Sequence, residues 1–293
     1  MDPRKSKTLI IGLGQIGYHN AEYLNKLGLH VEGFDPESNA VRRALETTVI
    51  QKQAKSFENY DNYLICVSTH NQLDMKEPNF DALMESAERI EKEGKAGALV
   101  SIESTIARGV SNRINNLLGH KMHVAHVPHR FYSEEKREHG VKQLRVLGGC
   151  KPCCTRKALN FYAGTLGIPV FPVQSVDLAE LSKIVENAHR FLQIAFAEEL
   201  KIFCDDEDLD FNELRDAINS KWNVDVLEAR EGIGGHCLPK DTQMLIEAEK
   251  NATPFSTLAV AVEVDDFYRT KLRRGEALET FLPRICSAVQ SNR

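Results

Sequence analysis

The sequence predicts a doubly wound α/β domain with a mainly parallel sheet, followed by an all-helical domain built around one long helix. Three observations predict it. Up to about Val173, short apolar runs alternate with segments of helical period. A glycine-rich turn, Gly12-Leu13-Gly14-Gln15-Ile16-Gly17, joins the first apolar run to the first helical segment. Beyond Val173 the strand-like runs stop and helical spacing takes over.

In order, the apolar runs are Thr8–Ile11, His30–Phe34, Tyr63–Val67, Ala98–Ile102, Met122–Val127, Leu144–Leu147 and Ile168–Val173. Their shortness and their Val, Ile and Leu content suit strands buried on both faces of a parallel sheet. Ile16–Leu27 and Phe80–Lys92 read as helices between them, and alternation of this kind argues for a doubly wound domain. From Asp177 to Phe203, Leu178, Leu181, Ile184, Val185, Ala188, Leu192, Ala195 and Phe196 recur at helix spacing, so one long helix is expected. Further helices are expected at Phe211–Asn219, Asp241–Glu249 and Thr257–Phe281. The boundary falls near residue 175, giving a dinucleotide-binding domain over 1–175 and a helical dimerisation and catalytic domain over 176–293.

A chain of 293 residues suits two domains, by a prior of ~150 residues each. Hydrophobic residues at 42% allow a sizeable core, and a net charge of −5 gives no electrostatic reason to expect nucleic acid or an anionic membrane. No apolar run is long enough to span a membrane, and the N-terminus does not read as a signal peptide. Seven cysteines, an odd count, do not read as a disulfide framework. A cytoplasmic protein with reduced thiols is the expectation.

In the glycine-rich turn, Gly12 permits the tight bend and Gly14 lets the backbone approach a pyrophosphate. Gly17 allows close packing of helix on strand, and the helix N-terminus offers N–H groups to phosphate. Asp35 ends the second strand, where a carboxylate accepts from ribose hydroxyls and repels a 2′-phosphate. A Rossmann-like domain that prefers NAD to NADP follows.

The segment Gly232-Ile233-Gly234-Gly235-His236-Cys237-Leu238-Pro239-Lys240-Asp241 is the most unusual in the chain. Its glycines let the backbone bend tightly around a ligand, and a nearby cation favours the thiolate, the nucleophilic form of Cys237. Asp241 is expected to open a helix as its N-cap. On the long helix, Lys183 and Asn187 are four apart, share one face and interrupt the apolar stripe. A solvated helix face accounts for Lys-x3-Asn equally well on its own. A partly buried lysine suits proton transfer, and an asparagine suits orienting water or an oxyanion.

Together these residues resemble the nucleotide-sugar 6-dehydrogenase family, of which UDP-glucose dehydrogenase is the familiar member. The motifs are Gly12–Gly17, Asp35, Ile65-Cys66-Val67-Ser68-Thr69, Ile102-Glu103-Ser104-Thr105-Ile106, Glu180–Arg190 and Gly235–Asp241. The resemblance implies oxidation of a primary alcohol to a carboxylate with two NAD used in succession. It implies that Gln15, Ile16, Val67, Ser68, Thr69, Ser104 and Thr105 join the glycines and Asp35 in holding NAD. Lys183 and Asn187, with a water, would assist the first hydride transfer, with Thr105 near the reacting centre. Cys237 would form a thiohemiacetal and then a thioester, and Asp241 would help place the hydrolytic water. Arg130, Gly234, Gly235 and Lys240 would join Lys183 and Asn187 in holding a substrate, expected to be a nucleotide sugar, and the long helix would lie at a homodimer interface.

Two departures stand out. Where the family carries Pro-Glu, with a glutamate that takes part in thioester hydrolysis, this chain has Pro128-His129-Arg130. His129 is thus the expected replacement base, although a lost or altered last step fits as well. Family enzymes also continue into a third domain that grips the nucleotide; this sequence reads either as a natural short form without it or as a fragment of a longer protein.

No metal is expected. His120, His123, His126 and His129 recur every third residue, but in a strand odd spacings point to opposite faces. Cys150, Cys153 and Cys154 lack a second ligand pair at finger-like spacing and read as ordinary thiols. The acidic run Asp205–Asp210 reads as a solvated turn. Two other functions remain open: a two-electron β-hydroxyacid-type dehydrogenase, and a non-catalytic NAD-binding paralogue. Cys237 in its loop argues against the first, and retention of Lys183, Asn187, Cys237 and Asp241 together argues against the second.

Overall fold

The computed structural model describes residues 6–71, 73–74, 76–131, 140–250, 252 and 256–274. Within them lie two compact units: one runs to Glu186 and includes Gln243–Ala248, and the other comprises Asn187–Thr242 with residues from Glu249 on.

The first unit holds an eight-stranded sheet: β1 (Lys7–Ile11), β2 (His30–Phe34), β3 (Lys52–Gln53), β4 (Asn62–Ile65), β5 (Leu99–Ile102), β6 (His123–His126), β7 (Arg145–Gly149) and β8 (Val170–Pro172). Their spatial order is β3-β2-β1-β4-β5-β6-β7-β8. Every pairing is parallel except β6 with β7. The helices are α1 (Gln15–Lys26), α2 (Ser38–Glu46), α3 (Asp81–Glu93), α4 (Val110–Leu117) and α5 (Pro152–Leu159), the last continuing as a π-helical turn over Asn160–Thr165. This is a Rossmann-like sheet, as the alternation of runs predicts.

Strand side chains alternate between faces, and here both faces are covered. Ile10, Leu64, Leu99, Ala125 and Leu147 pack on one side with Ala21 and Leu24 of α1. Leu9, Ile11, Tyr63, Ile65, Val100 and Val124 pack on the other with Leu83, Ala87 and Ile90 of α3 and Ile114 of α4. That two-sided burial explains why the strands read as unbroken apolar runs. The two-residue β3 and helices α2 and α4 are not anticipated, whereas a helix after the Cys150–Cys154 segment is. Lys52 and Gln53 are exposed on a sheet edge, and α4 is only 8 residues long, so neither leaves a clear periodic signal.

α6 (Val176–Asp206) is the long helix, and it is followed by α7 (Phe211–Asn219), α8 (Cys237–Glu249) and α9 (Thr257–Arg274). Residues 275–281, the end of the last expected helix, lie outside the described residues. Within the acidic run, Asp210 is the N-cap of α7, its carboxylate accepting from the N–H of Asn212 at 2.8 Å and of Glu213 at 3.1 Å. In the second unit Phe191 and Ala195 of α6 pack with Ile233 and Ala261, and Ala197 and Cys204 pack with Phe211 and Val226.

Glu198 on α6 is fully buried, and neither carboxyl oxygen has a hydrogen-bond partner. Burial first, then the charge of Asp265, pushes its pKa from 4.5 up to about 8. The folded chain therefore holds a proton that the unfolded chain releases. This contribution to stability is complete below 4.5 and is lost as pH rises through about 8. Glu198→Gln is expected to flatten the fall in unfolding free energy across that interval; an unchanged slope in urea titrations would assign the pH dependence elsewhere.

Candidate functional site

In the first unit, the connections leave β1 and β4 toward opposite sides of the sheet, and the crevice beyond their carboxyl ends is where such folds bind ligands. The three glycines divide their roles as the sequence suggests. Gly12 has φ +91°, and a Cβ on it would stand 2.7 Å from the Cys66 carbonyl oxygen. A Cβ on Gly17 would stand 1.8 Å from the Gly12 carbonyl oxygen, so only glycine permits helix and strand to approach this closely. Gly14, the N-cap of α1, would point a Cβ into open space. That space, against the N–H groups of Gln15, Ile16 and Gly17 in the first helical turn, fits a dinucleotide pyrophosphate.

Asp35 follows β2 and accepts the N–H of Leu13 at 2.6 Å and of Glu37 at 2.8 Å. Its carboxylate is thereby tied to the glycine-rich turn. Arg43 donates to the Leu13 carbonyl at 2.9 Å and holds the same turn from α2. Beyond β4 and β5, Thr69 Oγ1 donates to the Thr105 carbonyl at 2.8 Å and Ser104 Oγ to the Val67 carbonyl at 2.6 Å. These two bonds stitch the neighbouring loops together beside the crevice, with Ser68 exposed and Thr105 partly exposed.

His129 lies in a buried polar network around Glu103. The Glu103 carboxylate accepts from Asn20 Nδ2 at 2.6 Å, Arg145 Nη1 at 2.9 Å and Tyr162 Oη at 2.5 Å. His129 Nε2 lies 2.5 Å from Glu103 Oε2 and 3.0 Å from Asn20 Oδ1. Both neighbours are acceptors, so Nε2 carries the proton and Nδ1 holds the lone pair. Burial, then the charge of Arg145, pushes the imidazole pKa down, with Lys183 among the charges acting the same way. Burial opposes ionisation of Glu103, but the Arg145 guanidinium prevails and holds it near 2.

Arg130, expected to hold substrate, forms a bidentate ion pair with Glu186 of α6 and donates to the Leu144 carbonyl at 2.9 Å. Glu180 at the start of α6 accepts from the N–H of Gly109 at 2.6 Å and of Ser111 at 2.7 Å, capping α4. Within the first unit α6 is thus tied to the loop after β5 and to the segment after β6.

In the second unit Asn187, Lys240 and Asp241 come together. Asn187 Nδ2 donates to Asp241 Oδ2 at 2.5 Å, and Lys240 Nζ donates to Asp241 Oδ1 at 2.6 Å, both Lys240 and Asp241 being buried. Cys237 is exposed and is the first residue of α8. The first helical turn directs backbone N–H groups toward negative charge arising on the sulfur or on an adjacent oxyanion. Asp241 stands four residues on and therefore on the same helix face. It does not cap the helix, which begins at Cys237 with His236 as N-cap. Pro239 obscures this earlier start, yet proline is tolerated in a first turn because those N–H groups have no helical acceptor. Lys183 lies one turn before Asn187 on α6.

Three features escape a reading of the motifs. Asp265 Oδ1 accepts the Ile233 N–H at 2.7 Å and Arg269 donates to the Ile233 carbonyl at 2.9 Å, so α9 clamps the glycine loop. Gly232 has φ +90°, and a Cβ there would stand 2.4 Å from the Arg269 side chain. Gly234 and Gly235 are exposed beyond this clamp. The Glu103–Arg145 pair and the cap by Glu180 complete the three. Signals were present: Arg145 interrupts an apolar run, and Asp265 falls in the spacing Leu258, Ala261, Asp265, Tyr268 of the buried face of α9.

Residues 177–266 match the model of the UDP-glucose/GDP-mannose dehydrogenase family, central domain. A UDP-N-acetyl-D-mannosamine dehydrogenase of Methanococcus maripaludis (strain C7) is 27% identical over 268 residues, covering 84% of this chain and 62% of that protein. A UDP-N-acetyl-D-mannosamine dehydrogenase of Campylobacter jejuni is 28% identical over 294 residues, covering 89% of this chain and 72% of that protein. The solved structure of a UDP-D-ManNAc dehydrogenase from Pyrococcus horikoshii matches with a TM-score of 0.75 at 23% identity, covering 89% of this chain and 68% of that one. This last likeness concerns the fold. The chain thus spans between about three fifths and three quarters of these relatives' lengths, 62% of the Methanococcus protein among them.

Proposed function

From the match of residues 177–266 to the central-domain model of the UDP-glucose/GDP-mannose dehydrogenase family, we propose that the chain oxidises a primary alcohol, the hydroxymethyl carbon of a nucleotide sugar, to a carboxylate. The observation that carries the proposal is the grouping of Asn187 of α6 with Lys240 and Asp241 of α8, the helix that begins with Cys237. A two-electron alcohol oxidation needs no nucleophile, and a binding protein has no use for this set. Homology to nucleotide-sugar dehydrogenases supports the substrate class.

The Gly12–Gly17 turn, Asp35 and the loops after β4 and β5 would hold NAD, which when bound would supply a hydride acceptor in each half of the reaction. Lys183 and Asn187, with a water, assist departure of the hydroxyl proton and hold the oxyanion. The Cys237 sulfur then adds to the aldehyde carbon to give a thiohemiacetal, and loss of a second hydride from that carbon leaves a thioester. Asp241, fixed by Asn187 and Lys240, helps direct water onto the thioester carbonyl, and hydrolysis releases the carboxylate and restores the thiol. His129 stands at the sequence position of the family's hydrolytic glutamate, with its Nδ1 lone pair as the base. His129→Ala is therefore expected to accumulate acyl-enzyme during turnover, detected by intact mass on Cys237; absence of the adduct at steady state would remove His129 from hydrolysis.

Asp35 sets the choice of cofactor. NADP is expected to bind at least about tenfold more weakly than NAD, because its 2′-phosphate meets this carboxylate. Equal affinities in fluorescence titrations would contradict that reading. We further propose a homodimer: Leu178, Val185, Phe196 and Phe203 along α6 are about half exposed, an apolar stripe that association would cover. Sedimentation at micromolar concentration tests it. Among the described residues no helix is long and apolar enough to cross a membrane.

A further inference from the structure

We propose that His123, Cys153 and Cys154 form a binding site for a thiophilic divalent metal ion of the zinc class, at the edge where β6, β7 and α5 meet. One ligand atom from each side chain lies within 4.8 Å of the other two. Along the chain the histidine and the cysteines look unrelated, and the expectation of no metal rested on that separation. The antiparallel pairing of β6 with β7 removes it. Ala125 stands opposite Gly149, so the start of β6 lies beside the end of β7. The chain then turns through Cys150 and Lys151 into α5, whose first three residues are Pro152, Cys153 and Cys154. The Cys150 N–H bonds the Val124 carbonyl at 3.0 Å and holds this turn against β6.

The donor set is chemically apt. One imidazole with two thiolates suits zinc, leaving a fourth position for water. His123 Nδ1 is buried with no hydrogen-bond partner, a condition that native polar atoms rarely tolerate and that coordination relieves. Both thiols are free, Cys154 buried and Cys153 exposed. They are adjacent in a helix, and the ~3.8 Å between neighbouring Cα atoms is shorter than a disulfide ordinarily spans. Lys157 one turn further along α5 opposes a cation, and the negative charge of two thiolate ligands offsets it. Donors around a tetrahedral zinc ion stand roughly 3.4–3.8 Å apart. Rotation of the exposed Cys153 side chain supplies the remaining contraction. The ion would staple α5 to the beginning of β6, a structural role separate from the dinucleotide and cysteine chemistry.

Cobalt(II) is the probe, titrated into the full chain carrying Cys237→Ser so that the loop thiol does not compete. The expected result is one equivalent bound, a thiolate-to-cobalt absorption band, displacement by zinc and a rise in Tm. Cys153→Ser changes an exposed side chain and is expected to preserve the fold while weakening binding at least tenfold; His123→Gln is expected to do the same. Undiminished binding in Cys153→Ser, or no thiolate–cobalt band in the Cys237→Ser protein, would overturn the assignment.

Discussion

Cys237→Ser is expected to lower carboxylate formation by at least about 10³-fold, the scale on which removal of a covalent nucleophile acts. The loss should fall on kcat, since Cys237 belongs to the second unit and the residues expected to hold NAD belong to the first. NAD affinity, measured by quenching or calorimetry, should stay within a few-fold of the parent. The thiol is exposed at the start of α8, so the substitution leaves the packed core untouched, and circular dichroism checks the fold. If the aldehyde can leave the enzyme, the serine variant should release it after one hydride transfer. Unchanged carboxylate formation would remove the covalent mechanism.

Arg145→Met is expected to destabilise the first unit by about 3–5 kcal/mol, because it strands the Glu103 carboxylate in a site without solvent. Both groups are almost wholly buried, 2% and 1% exposed. Replacing both members with apolar residues should recover much of the loss, since the cost lies in the uncompensated charge rather than in the pair itself. The pH dependence carries a definite sign. Glu103 is held near 2, below its usual 4.5, so its contribution to stability is present above 4.5 and disappears as pH falls toward 2. Arg145→Met removes the charge that holds this carboxylate ionised, so the stability gap between variant and parent should narrow as pH falls toward 2. A loss below about 1 kcal/mol in urea unfolding would mean that Asn20, Tyr162 and His129 suffice to hold the carboxylate.

Much of this was legible along the chain because the responsible forces are local. Strands buried on both faces advertise themselves as apolar runs, and Gly12 and Gly17 occur where backbone geometry admits no side chain. What escaped depends on pairing across the chain. The antiparallel pairing of β7 with β6 leaves no local signature, since strand direction is not written in the residues of Arg145–Gly149, and with it went the meeting of His123 with Cys153 and Cys154. The start of α8 was misread because Pro239 suggests a break where a first turn tolerates it. Residue types identified Arg130 and Asp265 as charged, but not that Arg130 grips Glu186 or that Asp265 holds the backbone of Ile233. Side-chain partnerships of this kind follow from tertiary packing.

The central claim is the covalent, two-stage oxidation, and the most direct measurement of it is the NADH formed per substrate consumed. UDP- and GDP-linked hexoses and N-acetylhexosamines form the panel, with product identified by mass. The account predicts two NADH for each substrate and a carboxylate product. One NADH per substrate, with an aldehyde or ketone as the final product, would contradict it.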